Sequence, residues 1–135
     1  MTPRAIYINV KGKPIPKQST KIDTQHGKIH GFTPEHIKNW QKTVADHARV
    51  EAYKQDWEIL EGPVRIILIY RVPDRRRRDL TNLSKCVEDA LSGIIYKDDN
   101  QIIDEHHRKV VCPEDPGVEI LVYPTTEEEI KGEKL

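Results

Sequence analysis

The sequence predicts a small single domain of the α+β (mixed α/β) class, a mixed β-sheet packed with two main helices. Three observations carry this. Element patterns run strand, helix, strand, helix, then further strands. The length, 135 residues, fits one domain of ordinary size. No internal repeat and no second-domain linker interrupts the chain. The strand–helix–strand spacing alone does not separate α/β from α+β.

Each element has a local signature. AIYINVKG alternates, with Ile6, Ile8 and Val10 on one side, and predicts a strand. KPIPKQSTKIDTQHGKIHGF is rich in Pro, Gly and Lys without apolar periodicity and predicts a long loop. Thr33-Pro34 predicts a helix start, with Thr33 as cap and Pro34 at the first helical position. That helix runs to about residue 54, with Ile37, Trp40, Val44, His47 and Ala48 on one face. After Gly62-Pro63, VRIILIYRV predicts a strand, central in the sheet. A second helix spans about Leu80 to Ser92 and stops at Gly93. Its apolar face is Leu80, Leu83, Val87, Ala90 and Leu91; Asn82, Lys85 and Asp89 line a polar face. IIYKDDNQI predicts a short strand-like piece and a turn at Asp98, Asp99 and Asn100. IIDEHHRKVVC and VEILVY are the last strands. The domain covers 1–124. Residues 125–135 form a polar acidic tail, either one short helix or disordered.

Bulk properties narrow the function. Hydrophobic residues are 36% and charged residues 33%, so the core is thin and a partner subunit would help complete it. Cys86 and Cys112 lack zinc-finger spacing and read as free thiols in a reducing compartment. No signal-peptide pattern or membrane-length apolar run is present, which predicts a cytoplasmic protein without membrane association. Net charge is zero, yet residues 1–54 carry ten Lys/Arg against four Asp/Glu (+6), and residues 98–135 four against eleven (−7). A polyanion partner is therefore compatible with the composition only if a basic face is continuous.

The chemistry gathers at PDRRRRDLTNLSK and the following acidic turn. Asp79, Asp98 and Asp99 are hard oxygen donors of the kind Mg²⁺ accepts. Arg75, Arg76, Arg77 and Arg78 suit phosphate contacts. A carboxylate-held metal flanked by guanidinium groups is an arrangement for phosphodiester hydrolysis. Each piece also has a plain structural role: Asp79 as helix cap, Asp98-Asp99-Asn100 as a turn, and Lys85–Asp89 as a surface pair worth about 0.3–0.5 kcal/mol. Pro73-Asp74 with Glu129-Ile130-Lys131 loosely fits another nuclease pattern, but its second half lies in the charged tail. His106 and His107 point to opposite sides of a strand, so one of them can approach the acidic turn.

PDRRRRDLTNLSKCVEDALSGIIYKDDNQI, Pro73 to Ile102, strongly resembles the RusA family of Holliday-junction resolvases. Gly12 to Lys17, GKPIPK, is similar to that family's opening. The resemblance implies a Mg²⁺-dependent endonuclease (Mn²⁺ is the alternative ion) that acts on branched or four-way-junction DNA as a two-fold homodimer. By position it makes Asp79 and Asp99 catalytic and metal-binding, with Asp98 beside them, and Lys85 a lysine needed for cleavage. Arg75 to Arg78, Lys13 and Lys17 are the expected DNA contacts. Thr81 departs from the pattern, standing where the better-known members have a carboxylate. Thr81, Asn82 and Asp89 are accessory candidates, with Asp98 or Asp89 as the source of the missing charge. The departure raises a second expectation: a dimer that binds branched DNA without cutting it.

Overall fold

The computed structural model describes residues 4–17, 21–23 and 30–133. Its main sheet has the order β1(Ile6–Lys11)-β6(Gly117–Pro124)-β4(Val64–Val72)-β5(Ile102–Val111). β6 is antiparallel to both neighbours, and β4 pairs with β5 in parallel, so the sheet is mixed. A crossover must join parallel strands, and α2 (Leu80–Leu91) is the helix within it. Together with α1 (Glu35–Lys54), α2 covers one face. This is an α+β domain whose main-sheet strands and two main helices follow the predicted order.

The strands follow their alternation. Every second residue of β4, from Val64 to Val72, is buried, and so are Ile6, Ile8 and Val10 of β1. They share one core with Ile37, Trp40, Val44 and Ala48 of α1 and with Leu83, Val87 and Leu91 of α2. β4 lies inside the sheet, as its apolar run predicts. Gly117 is fixed by contact: a Cβ there would lie 2.2 Å from the Val10 carbonyl oxygen.

Several expectations are corrected. Pro34, not Thr33, is the N-cap of α1, and no side chain caps that end. His47 is only half-buried and its Nδ1 lies 2.8 Å from the Thr43 carbonyl; Ala45 takes the buried place. The predicted long loop contains a two-stranded ribbon, β2 (Lys21–Asp23) with β3 (His30–Phe32). Without apolar alternation, its sequence gives no strand signal. The strand-like piece at Ile94–Tyr96 is a turn with isolated bridges, and the Ile94 and Ile95 N–H groups bond back to Leu91 O. Gly93 takes φ +84° where α2 stops, the left-handed conformation glycine adopts without strain. Residues 127–131 form a short helix, α3 (Glu127–Lys131), capped by the Thr126 side chain. Beyond it Glu133 reaches Arg65 at 2.5 Å.

Candidate nuclease site

α2 holds the functional residues, and its two ends differ. At the N-terminal end Asp79 is the N-cap; its Oδ1 accepts the Asn82 N–H at 3.1 Å. Among the described residues this is the one hydrogen bond to the Asp79 side chain, so capping and ligation are compatible. The loop from β4 brings four arginines here. Arg78 turns inward, is buried, and donates to the Asp74 carboxylate (2.8 Å) and to the Asp74 and Arg76 carbonyls. The Arg78 guanidinium and the Arg76 N–H hold the Asp74 carboxyl below its ordinary range. Arg75, Arg76 and Arg77 are exposed and line an open hollow of about 440 Å³ with Lys109, Val110 and Val111 of β5. Thus Arg78 shapes the loop, and its three neighbours face solvent.

The C-terminal end of α2 is acidic. A single 3₁₀ turn, Asp99–Gln101, follows the helix and is capped by Asp98, whose carboxylate accepts the Asn100 N–H at 3.3 Å. Gln101 Oε1 accepts the Asp98 N–H at 2.8 Å. The Asp99 carboxyl stands against Asp98 and Asp89; Asp98, then burial, then Asp89 push it up to about 6. Asp89 pairs with Lys17, whose backbone N–H also donates to Asn82 O at 2.9 Å. The expected Lys85–Asp89 pair does not form: Lys85 points to solvent, and Asp89 turns to the N-terminal segment. Lys13 is exposed just beyond β1.

A polar row behind α2, in which Ser84 and Glu88 are buried while Glu105 and Lys109 of β5 are exposed, was not legible as a site. α2 runs antiparallel to β5, whose side chains at Glu105, His107 and Lys109 face it. Lys109 Nζ donates to Arg78 O. His107 Nδ1 lies 2.9 Å from Ser84 Oγ, which accepts from the buried Tyr70 hydroxyl at 3.0 Å. Glu105 meets Glu88, which is only 9% exposed and whose Oε2 has no hydrogen-bond partner. Burial and then Glu105 push the Glu88 carboxyl up to about 9. The available signal was the period-two polar row Glu105, His107, Lys109, facing Ser84 and Glu88 at i, i+4. His106 lies on the other side of β5, 3.1 Å from Asp104.

Asp79 and Asp99 therefore sit at opposite ends of one helix. Asp99 touches Asp89, which is ten residues and so about 15 Å along the axis from Asp79. Among the described residues, no three His, Cys, Asp or Glu side chains stand together in a way that could hold a metal ion. The donor chemistry, carboxylate oxygens at Asp79, Asp98 and Asp99, fits a hard divalent cation. Within one chain, however, the donors are split.

The family model described as endodeoxyribonuclease RusA matches residues 11–123. The chain belongs to the RusA endodeoxyribonuclease family. The crossover junction endodeoxyribonuclease RusA of Aquifex aeolicus (strain VF5) is 34% identical over 121 residues, covering 88% of this chain and 91% of that protein. The uncharacterized protein YqaN of Bacillus subtilis (strain 168) is 28% identical over 138 residues, covering 87% and 94%. RusA of Escherichia coli (strain K12) is 45% identical over 59 residues, covering 43% and 48%. The RusA match spans both ends of α2, the arginine loop and the acidic turn, so the split site lies wholly inside the family region. Thr81 is exposed in the first turn of α2, two residues after Asp79, and Asn82 follows it half-buried.

Proposed function

We propose that this chain resolves four-way DNA junctions by paired, symmetric phosphodiester hydrolysis, as a homodimer that uses Mg²⁺. The observation that carries the reading is the ordered constellation of Asp79, three solvent-facing arginines and the Asp98–Asp99 turn inside a RusA-family match covering most of the chain. The relatives' names, crossover junction endodeoxyribonuclease, support the substrate. A DNA substrate goes with the cytoplasmic location expected from the sequence. No helix among the described residues is long and apolar enough to cross a membrane.

The split carboxylates support a dimer. If one chain holds Asp79 and Asp99 at opposite ends of α2, a two-fold axis can set Asp79 of one copy beside Asp99 of the other. Two such pairings give two equivalent centres, one for each strand cut. Asp79, Asp98 and Asp99 would hold the ion, which when bound polarises the phosphate and activates water. Arg75, Arg76 and Arg77 neutralise flanking phosphates and fix the strand without reading sequence. Lys85 lies one helical turn beyond Thr81 and brings a positive charge to the developing phosphorane oxygens.

The test is cleavage of a labelled synthetic four-way junction, with and without Mg²⁺, beside linear duplex and the Asp99→Asn variant. Paired symmetric nicks that need metal and Asp99 are expected. Unchanged cutting by Asp99→Asn, or equal cutting of linear duplex, would overturn the reading.

A further inference from the structure

A second positively charged feature lies away from the arginine loop. The groove between α1 and α2, about 430 Å³ in volume, is lined by Lys17, Lys38, Lys42 and Arg49, with Ala45 between them and Asp89 on its wall. Lys38, Lys42, Ala45 and Arg49 follow one another at i, i+4, i+7 and i+11, so they form a single stripe on α1. Lys38 to Arg49 spans about 16 Å of helix axis. That is roughly the axial length of five phosphates on one DNA strand, at about 3.4 Å each. Ala45 leaves the middle open. Asp46, which lines a neighbouring hollow and not the groove, accepts from Lys42 at 2.6 Å and from Arg49 at 3.1 Å. These pairs are exposed, and exposed ion pairs are weak enough for a phosphate to displace them. Counting Asp46 and Asp89 against the four cations leaves a net charge of +2.

We propose that this groove is a second backbone-binding track, which takes a strand of the branched DNA across the α1–α2 surface to the Asp89–Asp99 end of α2. The inference rests on the junction-resolvase reading and adds where the substrate lies. Phosphates seat on Lys38, Lys42 and Arg49, while Lys17 exchanges its Asp89 partner for phosphate as the strand arrives. Asp89 is then released beside Asp99, so strand entry and exposure of the acidic end are linked. The contacts are to backbone, so they carry no sequence preference.

The experiment is fluorescence anisotropy of a labelled four-way junction titrated with Lys38→Gln/Lys42→Gln/Arg49→Gln over a series of KCl concentrations. Relative to the unmodified chain, the log K against log salt slope is expected to fall by about two to three, at about 0.9 per lost phosphate contact. Affinity at moderate salt should fall by about tenfold or more. Lys54→Gln/Lys97→Gln/Lys131→Gln removes the same charge elsewhere and should leave the slope near its original value. Equal losses in the two triples, or no loss in the groove triple, overturn the track. Arg75→Gln/Arg76→Gln/Arg77→Gln separates the two ideas: weak binding there with normal binding in the groove triple keeps the resolvase reading and rejects the track. No preference of the unmodified chain for junction over duplex rejects the reading itself. Should the triple fail to fold by circular dichroism, Lys42→Glu alone is read by the same salt titration.

Discussion

Glu88→Gln isolates the cost of the buried carboxyl. Glu88 is almost fully buried, faces Glu105, and has an oxygen without a partner. Burial, and then Glu105, push its carboxyl up to about 9 from an ordinary value of 4.5. Between these pH values the folded chain holds a proton that the unfolded chain has released, so stability must fall as pH rises from about 4.5 toward 9. Each pH unit is worth up to about 1.4 kcal/mol. From pH 5 to pH 7 the loss is thus up to about 3 kcal/mol, less where Glu105 shares the proton. Gln keeps the shape, carries no charge, and can donate its amide N–H to Glu105. Urea unfolding in EDTA at pH 5, 6, 7 and 8 reads the effect. The variant and the unmodified chain should be similarly stable at pH 5, and the variant should gain steadily above it, by about 2–3 kcal/mol at pH 7. Parallel curves for the two proteins would refute the reasoning, because a carboxyl ionised throughout the range gives no slope.

Asp79 separates capping from chemistry. Asp79→Asn keeps a cap oxygen and should melt like the unmodified chain yet fail to cut junctions, whereas Asp79→Ala should also lose about 1 kcal/mol of stability in urea. Gly117→Ala places a Cβ against the Val10 carbonyl oxygen of the neighbouring strand; it should separate β1 from β6 and lower the melting temperature by about 5 °C or more. Thr81→Asp puts a negative charge in the first turn of α2, where the helix dipole favours it; stability should hold or rise, and junction cleavage at low Mg²⁺ should be faster, read by single-turnover assay.

What the sequence determined by itself was local. The alternation of VRIILIYRV fixes the buried face of β4, because side chains on a strand point to opposite sides in turn. Asp79 ahead of a 3.6-residue apolar pattern specifies the start of α2, and Gly93 its end. The arginine run, the acidic turn and the family were readable for the same reason: each is a contiguous stretch. Only the tertiary structure decided which residues meet across the chain. Arg78 differs from Arg77 because the loop closes on Asp74, which charge count does not encode. Asp89 takes Lys17, 72 residues away, over its helical neighbour Lys85. Glu88 is buried because α2 runs antiparallel along β5 and brings Glu105 to it. The same packing sets Asp79 and Asp99 at opposite ends of α2, so the path of the helix across the sheet, and not the spacing of the motif, determines how the carboxylates can combine.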